Sequence, residues 1–134
     1  MIKAEDNETY IVVAGGMTKG GPSNSTEILK IGNDSWSDGP DLPYRITKAK
    51  MVAANKQQTN YAAYLIGGEV VNASGTYLNL SRDVFLLQKG LSYWTISQDE
   101  YLQHGRTDFA VATIPNAGIL PNCKPSSKYS NRDI

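Results

Sequence analysis

Short apolar runs, each cut off by glycine or by an Asn/Ser cluster, set the rhythm of this chain. Tyr10-Ile11-Val12-Val13-Ala14 runs into Gly15-Gly16, and Tyr61-Ala62-Ala63-Tyr64-Leu65-Ile66 runs into Gly67-Gly68. Further runs occur at Thr26 to Ile31, Ala49 to Ala54, Asp83 to Leu87 and Tyr93 to Ile96. All are of strand length and bounded by turn-forming residues, which predicts small antiparallel sheets. Strands such as Tyr61 to Ile66 and Val84 to Leu87 are apolar at successive positions, so both their faces should be covered.

The pattern repeats. After Gly15-Gly16 come a polar loop (Met17 to Asn24), the strand at Thr26, a turn at Gly32-Asn33-Asp34, and Trp36. After Gly67-Gly68 come the loop Glu69 to Leu80, the strand ending at Leu87, the turn Gln88-Lys89-Gly90, and Trp94. The glycine pairs recur at about 50 residues, a period expected of four-stranded propeller blades. Small Ala53, Ala54, Ala62 and Ala63 suit strands crowded near a narrow axis.

With the double glycine after an apolar strand, the downstream Trp, Gly39-Pro40-Asp41-Leu42-Pro43 and then Arg45, the chain resembles a set of kelch repeats. Arg106-Thr107-Asp108-Phe109-Ala110-Val111-Ala112 repeats the Arg45 pattern as a weaker third start. Leu29 and Leu87 stand where the family usually carries Tyr. The resemblance implies an all-β fold of kelch-type β-propeller blades, with Gly15, Gly16, Trp36, Arg45, Gly67, Gly68, Trp94 and Arg106 as structural motif residues. Labelling blade strands A to D outward from the axis, it divides the chain into a disordered start (1–9), a partial blade B-C-D (10–36), a complete blade (45–97), the first strand of a third blade (106–114) and a disordered tail (115–134). The tryptophans are expected between blades, with sugar-stacking on the surface as the alternative reading. The arginines either anchor loops or are solvated.

About two blades fall short of the four to eight that close a propeller. The remaining blades are therefore expected in a longer chain. The alternative is a homotrimer in which three copies complete about six blades, the leftover strand near Phe109 joining its neighbour. On up-and-down strands, the loops Met17–Ser25 and Glu69–Leu80 share one face with Ser37–Lys48 and Ser97–Asp108. That face is the expected recognition surface, with Tyr44, Arg45, Tyr77 and Tyr101 as candidate partner contacts.

Composition narrows the chemistry. Thirteen basic residues balance thirteen acidic ones, so no net field draws nucleic acid, and no apolar run is long enough for membrane insertion as a helix. His104 is the sole histidine and Cys123 the sole cysteine, leaving no ligand set for a metal, no catalytic triad, and no implied cofactor. Gly15-Gly16-Met17-Thr18-Lys19-Gly20-Gly21 lacks the Lys-Ser/Thr and helix of a phosphate-binding loop. Five Asn-X-Ser/Thr sequons begin at Asn7, Asn24, Asn33, Asn72 and Asn79, with the last four the candidate glycosylation sites. Their number leans toward an extracellular setting, whereas Met1 to Asp6 has no apolar leader, which leaves the cytoplasm open. The reading is a non-enzymatic protein-interaction scaffold with an unidentified protein partner. The family resemblance also admits part of a propeller enzyme (copper oxidase or sialic-acid isomerase) with its residues elsewhere, or the substrate-recognition module of a BTB-kelch ubiquitin ligase.

Overall fold

A computed structural model describes residues 2–3, 8–55, 61–88, 90 and 92–114. The expected tail at 115–134 lies outside them. In chain order the strands are β1 (Ile2–Lys3), β2 (Thr9–Ala14), β3 (Met17–Thr18), β4 (Gly21–Pro22), β5 (Thr26–Lys30), β6 (Ser37–Asp38) and β7 (Ile46–Thr47). They continue with β8 (Lys50–Asn55), β9 (Tyr61–Ile66), β10 (Glu69–Val71), β11 (Tyr77–Leu80), β12 (Val84–Gln88) and β13 (Thr95–Ile96). The fold is all-β, and its sheets do not close on themselves.

Two four-stranded antiparallel sheets carry the architecture, in the orders β1-β2-β5-β6 and β8-β9-β12-β13. Both are up-and-down blades, as the repeat required. The second holds full register along its inner strands, with Ala53 opposite Ala63 and Ala54 opposite Ala62, so small side chains let this region pack closely. Two expectations are corrected, one for the first blade and one for the segment after the second. The first blade has a fourth strand, because Ile2–Lys3 of the stretch expected to be disordered pairs with β2 (Ile2 opposite Tyr10, Lys3 opposite Thr9). The backbone groups on the inner side of β2 supply the reason: an open edge is a template for any nearby extended segment. The expected third-blade strand at 106–114 carries no ladder among the described residues, although Thr113 Oγ1 donates to the Ala53 carbonyl of the second blade at 2.9 Å.

The loops are more ordered than the sequence suggested. β3 and β4 form a small hairpin, and β10 and β11 a longer one. β7, in the connection between the blades, pairs with β10 (Ile46 opposite Val70, Thr47 opposite Glu69), so the connection is stitched to the second blade's own loop.

The core lies between the two blades. From the second come Ala63, Leu65, Phe85, Leu87 and Trp94, and from the connection Leu42 and Ile46, with Val12, Ala14 and Ile28 of the first blade packed against them. Phe85 is wholly buried and forms an edge-on contact with Tyr44, ring centroids 5.3 Å apart. Trp94 spans the joint: its indole N–H donates to Thr26 Oγ1 and to the Pro40 carbonyl, each at 3.0 Å. The repeat-equivalent Trp36 has no such cover and is 46% exposed. Trp94→Phe leaves the buried Thr26 hydroxyl and Pro40 carbonyl without their donor and should cost about 1–3 kcal/mol. Trp36→Phe should stay within about 0.5 kcal/mol. Urea unfolding of the two variants, followed by circular dichroism, checks the difference.

Candidate interaction face

The glycine pairs shape the end of each blade from which the long loops leave. Gly15, Gly16, Gly67 and Gly68 all have positive φ, between 62° and 95°. A Cβ on Gly15 would stand 2.7 Å from the Ile46 carbonyl oxygen, and one on Gly67 2.8 Å from that of Arg106. The second glycine of each pair uses this closeness: the Gly16 N–H donates to the Ile46 carbonyl at 2.7 Å and the Gly68 N–H to the Arg106 carbonyl at 2.8 Å. The blade end and the following connection are thereby locked together in both copies.

These bonds fix the true alignment of the two copies. Leu42 N–H donates to the Asn24 carbonyl and Leu102 N–H to the Arg82 carbonyl. Lys48 and Asp108 share a left-handed backbone, at φ 56° and 55°. Arg106 therefore occupies the place of Ile46, and Gly105 the place of Arg45. The expected equivalence of Arg45 with Arg106 is off by one residue, because sequence spacing shows where an arginine falls but not which carbonyl the glycine reaches. A side chain at 105 is excluded in any case, since its Cβ would lie 2.4 Å from the Leu80 carbonyl oxygen.

On this rigid end the β10–β11 hairpin stands out. Its turn is held by Asn72, whose Oδ1 accepts the N–H groups of Ser74 (3.1 Å) and Thr76 (2.9 Å) and the Ser74 hydroxyl (2.7 Å). Behind the turn, β11 projects Tyr77 (54% exposed), Leu78 (57%) and Leu80 (38%) into solvent. Arg82, two residues on, places its guanidinium 5.0 Å from the centroid of the exposed Tyr101 ring and donates through Nε to the Leu102 carbonyl at 2.8 Å. That cation–π contact and the bond orient Tyr101 beside the end of β11. Lys48 pairs with Glu69 at 2.9 Å on the same side of the molecule, and this bond raises the lysine pKa.

Of the four expected contacts, Tyr77 and Tyr101 lie on this face and Arg45 is exposed, its own carbonyl accepting from Val71 N–H at 3.1 Å. Tyr44 is different. Its ring rests on Phe85 and its hydroxyl donates to Asp83, so it is a packing residue turned into the joint rather than outward. Leu78, Leu80 and Arg82 escaped the sequence reading. The stretch reads as part of a polar loop, and the one signal that it would pair as β11 was the apolar content of Tyr77-Leu78-Asn79-Leu80.

The candidate glycosylation sites separate by geometry. Asn33, Asn72 and Asn79 are exposed, whereas Asn24 is half-buried and its Nδ2 donates to the Leu42 carbonyl at 3.1 Å. Of these four, Asn24 is therefore the least open to solvent. Asn7 lies outside the described residues. No group of three or more His, Cys, Asp or Glu side chains is placed to hold a metal among the described residues.

A family model of the kelch motif matches residues 8–43, which hold β2 to β6 and part of the connection that follows. The chain thus carries a kelch motif over those residues. Kelch repeat and BTB domain-containing protein 12 of Danio rerio is 25% identical over 99 residues, covering 73% of this chain and 16% of the relative. The chain thus corresponds to a small share of that relative's length. The second copy, beyond the matched residues, reproduces the backbone bonds of the first.

Burial and the Asp83 bond push the Tyr44 pKa far upward, and burial also raises that of Tyr64. A raised tyrosine pKa favours the fold while the phenol is neutral, and this contribution fades as pH climbs above the ordinary value of about 10. Unfolding free energy should therefore fall as pH rises above about 10, and fall less steeply in Tyr44→Phe; equal slopes in urea titrations would remove the assigned role of Tyr44. Gly105→Ala should lose about 1–3 kcal/mol by crowding the Leu80 carbonyl, read from the urea midpoint.

Proposed function

We propose that this kelch-repeat unit is a non-enzymatic protein-interaction module that binds its partner through the face built by the β10–β11 hairpin and the 98–106 connection. The observation that carries the reading is the exposed set Tyr77, Leu78, Leu80 and Tyr101, held on a stiff frame by the Asn72 turn and the Arg82 stack. Aromatic, aliphatic and Arg side chains that are already ordered lose little conformational freedom on binding, which suits them to anchor an interface. Kelch-repeat proteins generally serve as interaction modules, and the similar zebrafish protein carries a BTB domain by its name. Within this reading, recognition of a protein substrate for a BTB-containing partner or chain is the narrower possibility.

Tyr93 provides an internal control: it is 57% exposed and sits in the β12–β13 connection, at the opposite end of the blade. With the chain immobilised and bound proteins identified by mass spectrometry, Tyr77→Ala and Tyr101→Ala should weaken capture of a specific partner about tenfold or more. Tyr93→Ala should leave it unchanged. If all three variants capture alike, the partner face lies elsewhere.

A further inference from the structure

The two loop hairpins are copies of one another, with one chemical difference at the outer edge. Ser23 N–H donates to the Gly16 carbonyl at 2.9 Å and Ser81 N–H to that of Gly68 at 2.8 Å, so the residue before each serine holds the same place: Pro22 in β4 and Leu80 in β11. The strand pairing agrees, with Met17 opposite Pro22 and Glu69 opposite Leu80. Proline carries no N–H and blunts a sheet edge. Leucine leaves the donor in place.

The register fixes where that donor points. β10 lies between β7 and β11, and its main-chain groups turn to the two sides alternately. Gly68 and Asn72 bond toward β11, the first accepting from Ser81 and the second donating to the Thr76 carbonyl at 3.0 Å, while Val71 N–H bonds the other way, to the Arg45 carbonyl. Glu69 falls in step with Val71, so Leu80 opposite it turns its own N–H away from β10. The pairing shifts between Val70 and Val71, and there Tyr77 and Leu78 together face Val71, whose N–H is already given to Arg45. All four side chains of β11 are exposed, whereas Gly21 and Pro22 of β4 are half-buried.

Such an edge constrains what can cover it. A partner that takes up Tyr77, Leu78 and Leu80 also dries the main-chain groups between them, and a buried donor or acceptor without a mate is unfavourable. A helix uses its main-chain groups internally, but an extended segment offers N–H and C=O groups at the spacing of the edge. The sheet behind is stiff enough to be lengthened, because β11 is tied through β10 to β7 and so to the connection between the blades. Gly105 bounds the edge at one end, since a Cβ there would stand 2.4 Å from the Leu80 carbonyl oxygen.

We propose that the partner docks as an extended apolar segment that adds to β11 as the fourth strand of the β7-β10-β11 sheet, accepting a hydrogen bond from Leu80 N–H and packing on Tyr77, Leu78 and Leu80. This deepens the interaction reading above and rests on it. A phage-displayed library of random dodecapeptides, selected against the immobilised full chain, supplies the probes. The resynthesised peptides are titrated calorimetrically, unmodified and N-methylated at one residue at a time. Strand addition makes every second N-methyl group weaken binding about tenfold and leaves the alternate ones near the unmodified value. Leu80→Pro, which copies the edge of β4, should weaken binding about tenfold, and Leu80→Met should stay within about threefold. Peptides that lose affinity with Tyr77→Ala yet tolerate N-methylation at every position overturn strand addition and leave the face standing. Peptides indifferent to both Tyr77→Ala and Leu80→Pro overturn it as well, as does a library that yields no binder, while partner capture by the Tyr77→Ala and Tyr101→Ala variants decides the face independently.

Discussion

A single backbone contact, from the N–H of a glycine in left-handed conformation to a carbonyl of the segment that leads into the next blade, governs how this chain is put together. It occurs as Gly16 to Ile46 and again as Gly68 to Arg106. Its reach depends on the missing side chain of the preceding glycine, because any Cβ there would strike the same carbonyl. Once the connection is held at that distance, β7 falls beside β10, Leu42 and Ile46 drop into the space between the sheets, and Trp94 closes over Thr26 and Pro40. The hydrophobic contribution is realised only after this polar contact has set the spacing of the blades.

The same hierarchy explains the interaction face. The β10–β11 hairpin is an elaboration of the place that β3 and β4 fill in the first blade, longer and tipped with an Asn-centred turn. Because one of its strands is tied to the connection through β7, the hairpin is part of the frame and not a free loop. Its outer strand can then display Tyr77, Leu78 and Leu80 without collapsing them into the core. Stiffness behind and apolar surface in front arise from one ladder.

Much of this was legible in the chain. The glycine pairs, the tandem strands and the trailing tryptophans announced two blades, and the residues buried in the second blade follow its apolar runs closely. What could not be read were relations that depend on register. Arg106 resembled Arg45 in spacing, yet only the glycine bond shows that it stands in the place of Ile46. Trp36 and Trp94 look alike in sequence and differ entirely in cover, because burial depends on which neighbour lies alongside. β1 was hidden in a polar leader since its pairing relies on backbone groups, and Tyr44 looked like a contact because a loop position does not reveal that Phe85 lies beneath it.

Asn24 and Arg82 hold equivalent positions, and each reaches the carbonyl of the matching leucine, Asn24 through Nδ2 to Leu42 and Arg82 through Nε to Leu102. A substitution table scores Asn against Arg as dissimilar, yet the oxygen at the far end meets one nitrogen-bound hydrogen in either case. The requirement transmitted from copy to copy is a donor at a fixed point in space, indifferent to the length, charge or identity of the side chain that delivers it. Divergence between tandem copies can therefore run far in letters while the geometry they serve stands still.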